Sequence, residues 1–268
     1  MSDEPVSRGK FLKAFGRSMT GYVLGGAVGT AAQILTGRAA QVAGKSPAVT
    51  PKTASEETVL FIEHGPAEGN RIALTFDDGP TPGVTDRILD ELKQRRISAT
   101  FFMIGNCVAA APDLARRVLA EGHEIGNHSF THPKLNTLPD AEVDAELQKT
   151  QEIFTRELNY QSKWFRPPYG AFRKNQSSIP YGKGLGVVLW SFDSRDWAQP
   201  GEDKIIDTIT SQTQPGSIVI CHDRHEQTAN CIGRILDGLL ERGFIFVTLS
   251  ALVGQLHPGK NLSLSVTR

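Results

Sequence analysis

The feature that most constrains this chain is a regular alternation, from Arg71 onward, of short apolar runs with longer segments patterned as helices. The runs, rich in β-branched and aromatic residues, lie at 72–76, 100–104, 124–126, 164–166, 187–192, 217–220 and 244–248. Between most of them are segments with helical spacing of apolar residues, at 84–94, 112–121, 141–158, 202–213 and 232–242. Strands separated in this way pair in parallel through crossover helices. Seven candidate strands on this plan suggest a barrel, in which chemistry gathers at the C-terminal ends of the strands. A chain of 268 residues with 39% hydrophobic content buries enough core for one domain of that size plus extras.

Polar clusters stand at those strand ends. "TFDDGP" (75–80) closes the first run with two adjacent carboxylates, Asp77 and Asp78; Asp-Gly and Gly-Pro by themselves would signal only a turn. "HSFTHP" places His128 and His132 four residues apart, a spacing at which two imidazoles face one centre from a helix or a tight turn, and Pro133 favours the turn. With a carboxylate from another strand end, the two histidines make a two-His, one-carboxylate set, which leaves positions open for water and substrate. "RPPYG" (166–170), "DSRDW" (193–197) and "ICHD" (220–223) follow in order. Each alone reads as a turn, a solvated loop or a core histidine. Five in succession at successive strand ends point instead to one site.

The five clusters together resemble the ordered motifs of the polysaccharide deacetylase family, carbohydrate esterase family four. "SATFFMIG" and "AEGHEIGNHS" are also similar to that family, so the resemblance spans roughly 71–253. It implies an α/β fold, a distorted, partly open (β/α) barrel of about seven parallel strands, that removes acetyl groups from N-acetylated sugars with one divalent metal. By the same resemblance Asp78, His128 and His132 hold the metal, with zinc foremost and cobalt, nickel or manganese as alternatives, and Asp77 is the general base. Arg166 orients Asp77, His222 is the general acid and Asp196 pairs with it. The Tyr169 backbone N–H helps hold the oxyanion, while Trp197 and Ile220 shape the pocket for the acetyl methyl. Ile220 stands where the family usually has leucine, a near-isosteric change.

Amide hydrolysis near neutral pH needs a polarised carbonyl, an activated water and a protonated leaving amine. Two adjacent aspartates and a histidine suit those needs: one carboxylate binds the cation, the other takes a proton, and the histidine supplies one. The expected substrate is peptidoglycan, chitin or another N-acetylglucosamine polymer, with O-acetyl groups a further option. An amidohydrolase of the same superfamily acting on a small cyclic amide, and a carbohydrate-binding module with a dead site, are the alternatives. Lys plus Arg equals Asp plus Glu at 29 each, so no global field draws in nucleic acid.

The N-terminal region differs from the rest. Arg8, Lys10, Lys13 and Arg17 precede a Gly/Ala-rich stretch over 19–35, the layout of an export signal. Residues 7–13 resemble a twin-arginine signal except that Gly9 stands where the second arginine belongs. The division expected is 1–45 export signal, or else an extension of a cytoplasmic protein, 46–68 linker, 69–254 catalytic domain and 255–268 tail. The glycine-broken apolar stretch argues against a stable membrane span, and a monomer is expected. Cys107, Cys221 and Cys231 read as ordinary thiols, with a Cys221–Cys231 bridge as the lesser reading. His225 reads as an exposed loop residue, and 177–186, with Pro180 and two glycines, as a weak or broken helix.

Overall fold

A computed structural model describes residues 61–254. The sequence readings over 1–45, most of 46–68 and the 255–268 tail fall outside those residues. Nine strands occur among the described residues, and every pairing between them is parallel. They are β1 (Phe61–Ile62), β2 (Arg71–Asp77), β3 (Thr100–Met103), β4 (Glu124–Asn127), β5 (Trp164–Phe165), β6 (Gly186–Val188), β7 (Phe192–Asp193), β8 (Ile218–His222) and β9 (Ile245–Phe246). The sheet runs β1-β6-β5-β4-β3-β2-β8-β7, with β9 beside β2. Its edges, β1 and β7, are not paired with each other, so the barrel is partly open, as expected.

Among the described residues eight α-helices pack around it: α1 (Thr85–Arg95), α2 (Gly105–Ala110), α3 (Pro112–Ala120), α4 (Asp140–Leu158), α5 (Ser178–Gly182), α6 (Glu202–Gln212), α7 (Glu226–Glu241) and α8 (Leu249–Val253). The long ones follow the expected periodicity. In α7 Ile232, Ile235, Leu236 and Leu239 recur at three- and four-residue intervals and all are buried. The helix starts six residues before the expected Ile232, because its first turns bury small or polar groups, Thr228, Ala229 and Cys231, that carry little apolar signal. Arg96 and Asn159 end α1 and α4 in the left-handed conformation, their N–H groups returning to carbonyls of the last turn. The 177–186 segment is short and broken, as expected.

The 187–192 run is not one strand. Val188 ends β6, and the chain then crosses from the β1 side of the sheet to the β8 side before β7 begins. Leu189 N–H donates to Ile62 O, whereas Ser191 N–H donates to Ile218 O. The three intervening residues thus change partners, which a single straight strand cannot do. Pairing also reaches into the stretch read as linker, where Phe61 and Ile62 register with Val187 and Val188.

Alternation along the central strands sorts the side chains into two sets. Ile72, Leu74 and Phe76 face the helices, with Phe101, Met103, Val219 and Cys221 in the same cluster. Ala73, Phe102 and Ile218 belong to a second cluster inside the barrel. Thr75, Asp77, Ile220 and His222 share the inward parity, so the barrel interior leads up to polar groups at the strand ends. Gly126 on β4 makes room for Phe102: a Cβ there would lie 2.3 Å from the ring. The three cysteines are free, which leaves the Cys221–Cys231 bridge unformed.

Candidate active site

β2 ends at Asp77, and the next residue, Asp78, has φ 78°, a left-handed value unusual for a residue with a Cβ. That turn sends the two neighbouring carboxylates to different partners. Asp77, nearly fully buried, accepts from Arg166 Nη1 at 2.7 Å. Arg166 is itself completely buried at the end of β5, its guanidinium 4.0 Å above the Phe102 ring. It donates also to Thr75 Oγ1 at 2.7 Å and to Leu189 O at 2.8 Å. The guanidinium is thereby fixed in plane and position, and Asp77 Oδ1 with it.

Asp78 turns toward the histidines. The segment after β4 is a turn rather than a helix, with Ser129 and His132 both at φ 63°. The Nε2 atoms of His128 and His132 lie 3.4 and 3.0 Å from Asp78 Oδ1. His128 Nδ1–H donates to the Arg166 carbonyl at 2.7 Å, which leaves its Nε2 with a lone pair directed at the carboxylate when the ring is neutral. Asp78 Oδ1 is buried and has no hydrogen-bond partner. A proton or a cation is needed to reconcile lone pairs converging in this way. Burial alone would raise the Asp78 carboxyl, yet the two imidazoles beside it hold it well below the usual carboxylate range.

The donor atoms of Asp78, His128 and His132 all lie within 4.8 Å of one another. Separations of roughly 3.4 Å are what a tetrahedral ion with bonds near 2.1 Å requires, so the set fits a divalent cation. Tyr169 lies against it, its ring edge-on to His132 with centroids 4.6 Å apart and its hydroxyl 3.2 Å from His132 Nδ1.

Across the β2–β8 pair, His222 sits beside Asp77. Asp196 is fully buried and receives five donors. Its Oδ1 accepts from His222 Nδ1 at 2.6 Å, Ser194 Oγ and the Trp197 N–H, and its Oδ2 from the His222 N–H and Thr228 Oγ1. Burial would lower the imidazole pKa, but the hydrogen bond and charge of Asp196, with Asp77 and Asp78 beyond, raise it to about 9. The Nδ1–H is committed to Asp196, and Nε2 is the free end of the ring.

"RPPYG" places two residues without N–H groups before Tyr169. Tyr169 has φ 61°, and its N–H donates to no group among the described residues, so it is available at the site's edge. The residue is 62% exposed. Trp197 is 49% exposed, and its indole N–H donates to both carboxylate oxygens of Asp193, at 3.1 and 3.3 Å. Ile220 is buried one turn of the pleat below His222. All ten candidate residues therefore come from the ends of β2, β4, β5, β7 and β8 or the turns that follow them. His225 departs from expectation: it is half-buried, with its ring 6.1 Å from that of His222. Thr75, Thr228, Ser194 and Asp223 were not singled out in sequence. Thr75, Ser194 and Asp223 lay inside the quoted clusters; nothing local marked Thr228.

A family profile described as polysaccharide deacetylase matches residues 64–189. A chitooligosaccharide deacetylase of Bradyrhizobium sp. (strain ANU 289) is 39% identical over 197 residues, which cover 68% of this chain and 90% of that protein. The chain belongs to the polysaccharide deacetylase family. The structure resembles a peptidoglycan N-acetylglucosamine deacetylase solved in complex with an N-hydroxybenzamide, at a TM-score of 0.70 and 33% identity over 75% of this chain and 95% of that one. It is equally similar, with a TM-score of 0.70 and 29% identity over 74% and 70% of the two chains, to a pseudoenzyme of the same family from Bacillus anthracis. The family thus includes both a deacetylase and a pseudoenzyme on the same fold. The profile match also stops at residue 189, short of Asp196, Trp197 and His222, which the fold brings to the same strand ends.

Among the described residues no helix is long and apolar enough to cross a membrane.

Proposed function

We propose that this protein is a metal-dependent hydrolase that removes N-acetyl groups from an N-acetylglucosamine polymer, peptidoglycan or a chitin-type chain. The observation that carries this reading is the division of labour at one strand tip. Asp77 is tied to Arg166, Asp78 is turned toward His128 and His132, and His222 stands one strand over from Asp77. A chain that only bound sugar would have no use for that arrangement.

Asp78, His128 and His132 are the residues that would hold the ion; when bound, it supplies Lewis-acid polarisation of the acetyl carbonyl and a lowered pKa for water. The chain's own groups do the rest. Asp77, with Oδ1 fixed by Arg166, presents Oδ2 as the base that takes the proton from the attacking water. The Tyr169 N–H is a donor for the developing oxyanion. His222, protonated at neutral pH, gives its Nε2 proton to the departing sugar nitrogen, while Asp196 keeps the ring oriented and stabilises its charge. Trp197 and Ile220 exclude water around the acetyl methyl. Zinc is the ion that best suits two imidazoles and one carboxylate, with cobalt, nickel and manganese as substitutes.

The named activities of the relatives, on chitooligosaccharide and on peptidoglycan N-acetylglucosamine, support the substrate class. An envelope polymer as substrate agrees with the export signal read in residues 1–45. The test is acetate release from peptidoglycan, chitooligosaccharides and acetylxylan, with and without chelator. Chelator-sensitive release from the first two supports the reading; no release from any of them, with metal present, places the chain beside the family's pseudoenzyme.

A further inference from the structure

Asp223 closes "ICHD" and has no role in the chemistry above, yet it is completely buried beside the turn that carries Asp78. Its carboxyl lies broadside against Gly79. A Cβ at Gly79 would come within 2.0 Å of Asp223 Oδ2 and 2.4 Å of Oδ1, and Asp223 supplies all three of the nearest atoms. Gly79 is absent from the positive-φ residues, so the room taken up by Asp223, rather than backbone conformation, is what forbids a side chain there.

The main chain around Asp78 is held from both sides. On one, the Asp223 N–H donates to Asp77 O at 3.2 Å. On the other, the Ile104 N–H donates to Gly79 O at 3.0 Å while the Asp223 carboxyl bears on the Gly79 Cα. The carboxyl is in turn set by one hydroxyl, Thr85 Oγ1, which donates to Oδ2 at 2.6 Å and accepts from the Thr81 N–H at 2.7 Å. Asp223 Oδ1 is buried without a partner.

We infer that Asp223 is a positioning residue: with Thr85 it braces the Asp77-Asp78-Gly79 turn by shape and hydrogen bonding, and so sets where the Asp78 carboxylate stands relative to His128 and His132. This rests on the reading of Asp78 as a metal ligand. Asp78 stands one residue past the end of β2, at φ 78° and outside the strand, and supporting groups of this kind carry much of a site's affinity. Shape rather than charge is the active property. Burial, with Asp78 and Asp77 nearby, raises the Asp223 carboxyl to about 7, as befits a group poorly placed to carry charge. Asparagine has the same outline and retains an oxygen for Thr85.

The experiment is zinc affinity by chelator competition, with kcat, KM and Tm, for the full chain and five variants: Asp78→Asn, Asp223→Ala, Asp223→Asn, Gly79→Ala and Gly79→Ala with Asp223→Ala. The unaltered protein binds one zinc and Asp78→Asn loses it. Asp223→Ala weakens zinc by about 10–100-fold and lowers kcat more than it raises KM, whereas Asp223→Asn stays within about threefold of the unaltered protein. Gly79→Ala is severe alone and adds little once Asp223 is alanine, since the atoms it meets are gone.

Unchanged zinc affinity in Asp223→Ala, an Asn variant as impaired as the Ala variant, or a Gly79→Ala cost independent of Asp223 would each overturn the inference. If Asp223→Ala does not fold, Thr85→Val decides: weakened zinc at retained Tm supports the brace, and unchanged affinity refutes it. Absence of zinc from the unaltered protein brings down the metal reading itself. Zinc lost in Asp78→Asn but kept in Asp223→Ala brings down only the brace.

Discussion

Asp77 and His222 are register partners across the β2–β8 pair, and their side chains have the same inward parity. The proposed base and the proposed acid thus stand on adjacent strands, one tied to Arg166 and the other to Asp196. The parallel sheet sets this spacing, so it requires no loop to close.

Arg166 is the first point of attack. Lysine cannot reach Thr75, Asp77 and Leu189 together or lie flat on Phe102. Arg166→Lys is expected to cut turnover sharply at a modest cost in stability. Arg166→Met strands a buried carboxylate and should cost about 3–5 kcal/mol. Urea unfolding beside initial rates checks both; an Arg166→Met protein as stable as the parent contradicts the pairing.

His222 is predicted to titrate near 9 in metal-free protein and to fall back toward the ordinary histidine range in Asp196→Asn. Because the folded pKa is raised, the stability this pair contributes is fully present below about 6.5 and is lost as pH rises through about 9. The stability gap between parent and Asp196→Asn should therefore narrow across that window. NMR titration of the ring and melts over the same pH range measure it, and a gap that widens with pH would be the wrong sign.

Gly126→Ala tests the packing under the site. The added methyl would stand 2.3 Å from Phe102, on whose face Arg166 lies, so Phe102 must move and Arg166 with it. Overpacking of this kind costs about 1–3 kcal/mol. Pairing it with Phe102→Leu should recover part of the stability, read as a double-mutant cycle by urea unfolding. Additive losses would mean the two positions are not coupled.

Much of this was legible in sequence because it follows from period and order. The succession of strand and helix placed each cluster at a strand end. The 187–192 run misled because apolar continuity does not report a change of hydrogen-bonding partner, which at Leu189 and Ser191 depends on Ile62 and Ile218 far away in sequence. Phe61 and Ile62 were hidden for a like reason: two residues are too short a run to show a period. Thr228 and Thr85 act through contacts with residues far away in sequence, Asp196 and Asp223, and a lone hydroxyl in sequence gives no hint of them.

Metal stoichiometry measured beside initial rates on an N-acetyl substrate decides whether the adjacent aspartates have different tasks. Asp77→Asn is predicted to keep one divalent ion and its fold while losing about 10²–10⁴-fold in turnover, and Asp78→Asn to lose the ion first. An Asp77→Asn protein without metal, beside an Asp78→Asn protein that retains both metal and rate, would contradict that division of tasks.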